Sequence, residues 1–82
     1  MSDHISDLIY RALEQEAQAN INKAEATMEI YFSSPVGIGE HPQHLDEMSK
    51  LLDVISTNED RLTILTKYFS DYNQGIGNTW NT

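Results

Sequence analysis

Between Asp3 and Phe32 the chain carries apolar residues at Ile5, Leu8, Ile9, Ala12 and Leu13, and again at Ala17, Ile21, Ala24, Met28 and Tyr31. The second set advances in steps of four, three, four and three. That is the helical period and close to the heptad period. No glycine or proline interrupts the segment, and Ser2 is a suitable cap, with Asp3 in the first turn. The stretch from Glu14 to Ala26 is rich in alanine, glutamate and glutamine, which form helix well but add little core volume. The pattern predicts one helix over 3–32, about 45 Å long at 1.5 Å per residue.

A second periodic stretch runs through Leu45, Met48, Leu52, Ile55, Leu62, Leu65 and Phe69, with Pro42 suited to a first helical turn. It predicts a helix over 42–70. The stripe turns polar at Asn58 and Glu59, and Ser56 with Glu59 has the form of a capping box. Two outcomes follow: a break near 56–58 that gives three helices in all, or one continuous helix. The seven-residue step from Ile55 to Leu62 favours the continuous one.

Residues 33–41, Ser33-Ser34-Pro35-Val36-Gly37-Ile38-Gly39-Glu40-His41, read as the connecting loop. Pro35 disfavours helix at Ser34, and glycines on both sides of Ile38 permit positive φ there. Residues 71–82 are rich in Asn, Gly and Thr and read as an irregular tail, although it carries Trp80. The expected fold is all-α: a long antiparallel helical hairpin over 1–70 followed by that tail. Tyr-Phe-Ser followed by Gly-Ile-Gly occurs twice, at 31–39 and 68–77, but the residues upstream match poorly and the echo reads as chance.

A chain of 82 residues is one domain. At that size it buries only about 60–65% of its unfolded surface. With no cysteine there is no disulfide or thiolate–zinc support, so a partner subunit is the expected source of stability. The sequence predicts a homo-oligomeric bundle whose interface uses Ile5, Leu8, Ile9 and Leu13, with Trp80 of the tail as a further anchor.

Thirteen acidic residues against five basic ones give a formal net charge of −8. Such a balance argues against nucleic-acid phosphates and against anionic membrane surfaces as partners. The start of the chain has no charged, apolar signal pattern, and no apolar run is long enough to span a bilayer. The cytoplasm is the expected location.

Candidate chemistry is thin. His41 and His44, with Glu40 and Glu47, have a spacing that could hold a metal, but no fourth ligand suggests itself and solvated helix-start residues are the plainer account. Gly37, Ile38 and Gly39 ahead of a helix could offer backbone N–H groups to an anion, with His41 beside them. The strand, lysine and serine of a phosphate loop are missing. No glycine-framed nucleophile appears, and a helical hairpin offers no deep cleft. The expectation is a non-enzymatic protein without metal or cofactor. The acids are spread along the chain and not run together, so a solvated helix face accounts for them better than mimicry of DNA.

The segment Tyr31-Phe32-Ser33-Ser34-Pro35-Val36-Gly37-Ile38-Gly39-Glu40-His41-Pro42 resembles small uncharacterised helical proteins of tailed bacteriophages, which carry a similar Pro-Val-Gly-Ile-Gly-Glu-His loop between two helices. The resemblance covers about residues 20–70, and the loop is its specific part; the tail from Tyr72 onward lies outside it. It implies a phage accessory protein made in bacterial cytoplasm and brings no active site with it. Taken together, the sequence predicts a non-catalytic phage protein that oligomerises and binds or inhibits a host protein. The alternatives are a protein that sequesters a small nucleotide signal at a subunit interface, using Gly37, Ile38, Gly39 and His41 with Lys23, Arg61 or Lys67 as the cation, and a minor virion component.

Overall fold

The computed structural model describes residues 2–33 and 42–73. It is an all-helical hairpin. Helix α1 spans Ser2–Ser33 and helix α2 spans Pro42–Phe69, followed by a 3-10 turn over Ser70–Tyr72. No strand occurs among the described residues.

Each boundary has a local cause. Helix α1 ends one residue before Ser34, where the clash with Pro35 disfavours the helical region. In the last turn the Ser33 hydroxyl donates to the Glu29 carbonyl at 2.6 Å. Helix α2 begins at Pro42, whose fixed φ suits a first turn and whose missing N–H costs no helical bond there. The backbone N–H of Asn73 donates to the Ser70 carbonyl at 3.0 Å and closes the 3-10 turn.

The two helices meet along one seam. On α1 the buried and half-buried positions Asp7, Tyr10, Glu14, Ala17, Ile21, Ala24, Met28 and Tyr31 alternate steps of three and four. On α2 the positions His44, Met48, Leu51, Ile55, Asn58, Leu62 and Leu65 do the same. This is the geometry of a coiled-coil seam. Ala17 and Ala24 are almost fully buried, and their small side chains let the helix axes approach. Ile21, Met28 and Met48 fill the space between, each contributing about 1.5–3 kcal/mol by its removal from water. At the loop end the Tyr31 and His44 rings pack at 5.3 Å.

Helix α2 runs unbroken through 56–58. The physical reason is Asn58, which is 4% exposed and lies on the seam. Its Oδ1 accepts from Asn20 Nδ2 at 3.1 Å and from Arg61 Nη1 at 3.3 Å, and its Nδ2 donates to the Val54 carbonyl at 2.8 Å. A polar residue so satisfied continues a stripe without ending the helix.

The molecule measures 56 × 23 × 16 Å, a single layer of two helices. Each helix therefore buries one stripe and leaves the others open.

A candidate interaction flank

The apolar residues of the first third of α1 do not face α2. Asp7, Tyr10 and Glu14 take the seam, and Ile5, Leu8, Ile9 and Leu13 are 46–56% exposed. The Ile5–Leu13 stripe, expected to lie outside the hairpin's own packing, is exposed. Helical geometry explains this. At 100° per residue, Ile5 and Leu8 sit on the back of α1, whereas Ile9 and Leu13 sit on its flank.

That flank is matched from the other helix. Ile9, Tyr10 and Leu13 of α1, with Leu65, Phe69 and Tyr72, line a largely apolar concavity of about 370 Å³ at the open end of the hairpin. A second concavity of about 420 Å³ continues it through Leu13, Glu16, Ala17, Arg61, Ile64 and Leu65. Farther along, Asn20, Asp53, Thr57, Asn58 and Arg61 line a third of about 390 Å³. The first two share Leu13, Leu65 and Phe69, and the last two share Arg61, so the three form one groove along one flank. The groove is apolar at the open end and polar towards the middle. Ile64, Tyr68, Phe69 and Tyr72 extend the exposed apolar surface on the α2 side.

The sequence-predicted site residues divide accordingly. Ile9 and Leu13 lie in the groove, and Ile5 and Leu8 lie on the adjoining back face. Trp80, Gly37, Ile38, Gly39, Glu40 and His41 lie outside the described residues. Arg61 lines the groove beside Asn58. Nineteen residues of α2 separate it from Pro42, about 28 Å along the axis. Ten residues separate Lys23 from Ser33, about 15 Å along α1. One chain therefore does not bring Arg61 to the loop end, and a site using both would draw on two copies. Among the described residues no group of three His, Cys, Asp or Glu side chains stands where it could hold a metal ion. No described helix is long and apolar enough to cross a membrane.

The predicted stripes missed Asp7, Tyr10 and Glu14 on α1, and on α2 they ran through Leu45 and Leu52, which are exposed, where the seam takes His44, Leu51 and Asn58. Asp7 is 0% exposed, and neither carboxylate oxygen accepts a hydrogen bond from any described residue. Asn58 was read as an interruption of the stripe. For Asp7 the signal was present: the 3-4 alternation of Ala17 to Tyr31 carries back onto Glu14, Tyr10 and Asp7.

No family model, no curated protein and no solved structure matches the chain.

Proposed function

We propose that the chain is a non-catalytic interaction protein that works through the apolar half of this flank, assembling into an oligomer and binding and thereby blocking another protein. The supporting observation is Leu13. It is half exposed, belongs to two adjoining concavities, and has Ile9, Leu65 and Phe69 around it with no element of the chain over them among the described residues. An apolar side chain in a concave apolar setting is the usual form of an interface anchor. The first third of α1 also carries Ile5, Leu8 and Ile9 off its seam, an apolar surface that α2 does not cover. A bacteriophage origin and a bacterial host target draw their support from the resemblance of the loop over 35–41 alone.

The test is co-purification. Tagged wild-type protein and Leu13→Asp are expressed in bacteria, and retained proteins are identified by mass spectrometry. The wild type is expected to retain a protein that Leu13→Asp loses, while circular dichroism shows both equally helical. Identical retention by the two would end this reading.

A further inference from the structure

Resting on the reading of the flank as an interaction surface, we infer that its resident occupant is the chain's own tail, residues 74–82, which seats Trp80 beside Leu13 and is displaced when another protein binds. Three observations lead to that occupant. The first is where the chain leaves α2. The 3-10 turn over Ser70–Tyr72 lies against α1, and Tyr72 is itself part of the wall of the apolar concavity, together with Ile9 and Leu13. Asn73, whose N–H is held by the Ser70 carbonyl, is half-buried. The tail therefore sets out from the mouth of the groove.

The second is reach. Trp80 stands seven residues beyond Asn73, at most about 23–25 Å of chain. The two apolar concavities run from Ile9 to Ala17 on α1, about 12 Å along the axis, well within that length. The connecting segment 34–41 is no rival. It is tethered at both ends and starts at Ser33, twenty residues or about 30 Å along α1 from Leu13.

The third is chemistry. All thirteen acidic and all five basic residues precede residue 74, so the tail brings no charged side chain onto a body of net charge −8. It carries Ile76 and the single tryptophan of the chain, four residues apart, and in an extended segment such residues share one side. That pattern matches a groove walled by Ile9, Leu13, Leu65 and Phe69. A short tether holds the tail near the groove at about millimolar effective concentration, which makes so small a contact effective. Two apolar anchors are also few enough for a larger partner to displace. With the groove occupied about nine-tenths of the time, any competitor's apparent affinity falls about tenfold.

Trp80 reads the contact directly, because its fluorescence is the only tryptophan signal of the full-length protein. In the wild type the emission should lie at shorter wavelength than in the urea-unfolded chain and should resist quenching by acrylamide. Leu13→Asp should shift both to the values of an exposed tryptophan, with circular dichroism unchanged because Leu13 is half exposed. Phe69→Ala, on the other wall, should act in the same direction. Leu8→Asp, on the back of α1, should leave both as in the wild type. Dilution through the micromolar range should change nothing, since the contact lies within one chain. Trp80→Ser should bind the neutral apolar dye Nile red about tenfold more tightly than the wild type, and adding Leu13→Asp should remove that gain.

A wild-type emission equal to that of the unfolded chain overturns the inference, as does a Leu8→Asp effect equal to that of Leu13→Asp. A short-wavelength emission lost on dilution also overturns it, by placing Trp80 on a second copy. An exposed Trp80, together with a bacterial protein that Leu13→Asp loses, overturns the tail as occupant and leaves the flank as an interaction surface. A buried Trp80 that Leu13→Asp releases, with retained proteins that ignore the change, supports the contact and overturns the interaction reading on which the displacement rests.

Discussion

Asn20 and Asn58 are 38 residues apart in sequence, and their side-chain amides meet at 3.1 Å across the helix seam. The bond is one of three at the buried Asn58 amide, which also receives Arg61 and donates to Val54. A paired asparagine in an apolar seam fixes register, because sliding one helix past the other by a turn would bury both amides without partners. Asn58→Ala should therefore cost about 1–3 kcal/mol, since it leaves Asn20 unpaired in a part-buried place. Replacing both residues by leucine should bring stability back to the wild-type value or above it, while loosening register. Urea unfolding of the single and double variants at one fixed protein concentration checks both halves. A double variant as unstable as the single one would mean that the pair does more than satisfy itself.

Asp7 poses the opposite case. Its side chain is fully buried on the seam near the start of α1, and its carboxylate oxygens take no hydrogen bond from the described residues. Burying a carboxylate without a donor opposes folding. Asp7→Asn keeps the shape and removes the charge. It should raise stability by about 1 kcal/mol, or about 4–8 °C in melting temperature for a domain of this size. Thermal unfolding followed by circular dichroism decides the matter. A lowered melting temperature would show that the carboxylate has a donor in solution.

Ala17 and Ala24 set the closeness of the two helices, each only 3% exposed between Tyr10 and Met28 on the same stripe. Leucine at either position has no room without pushing the axes apart. Ala17→Leu should cost about 1–3 kcal/mol by overpacking. Ala26→Leu on the exposed face should stay within about 0.5 kcal/mol of wild type. Equal effects at 17 and 26 would contradict the seam described above.

These residues also show what the sequence could reveal. The all-α hairpin and the half of the seam from Ala17 to Tyr31 were legible, because an unbroken 3-4 alternation has one helical face to occupy. In the first third of α1 the line of the seam was not read, because periodicity identifies an apolar face without saying what that face meets. Ile5, Leu8, Ile9 and Leu13 formed the stronger stripe by composition, yet the seam passes through Asp7, Tyr10 and Glu14. That those four residues would lie outside the hairpin's own packing was legible; the groove beside Ile9 and Leu13 was not. The groove depends on Leu13 standing beside Leu65 and Phe69, more than fifty residues later, and only the pairing of the helices brings them together. Asn58 looked like an interruption for a related reason: its partner Asn20 is a long-range one, and local pattern carries no trace of it.

The placement of the basic residues supports one more expectation. Binding of nucleic-acid backbones needs several cations on one face, each replacing counterions along the phosphates. Here five basic residues stand against thirteen acidic ones, with Arg11 and Lys23 on α1 and Lys50, Arg61 and Lys67 on α2. Three of the five are engaged locally. The Lys50 ammonium stands 4.0 Å from Glu47, the Arg61 guanidinium donates to Asn58, and the Lys67 ammonium lies 5.2 Å above the Tyr68 ring. Pairing two copies would bring their net negative charges together, so assembly offers no route to a basic stripe made of these residues alone. The protein should not shift random duplex DNA or RNA in a gel at physiological salt, and Lys67→Glu should leave that result unchanged. A shift that weakens steeply as salt is raised would show that phosphate contacts exist, and it would require a basic surface that neither helix presents.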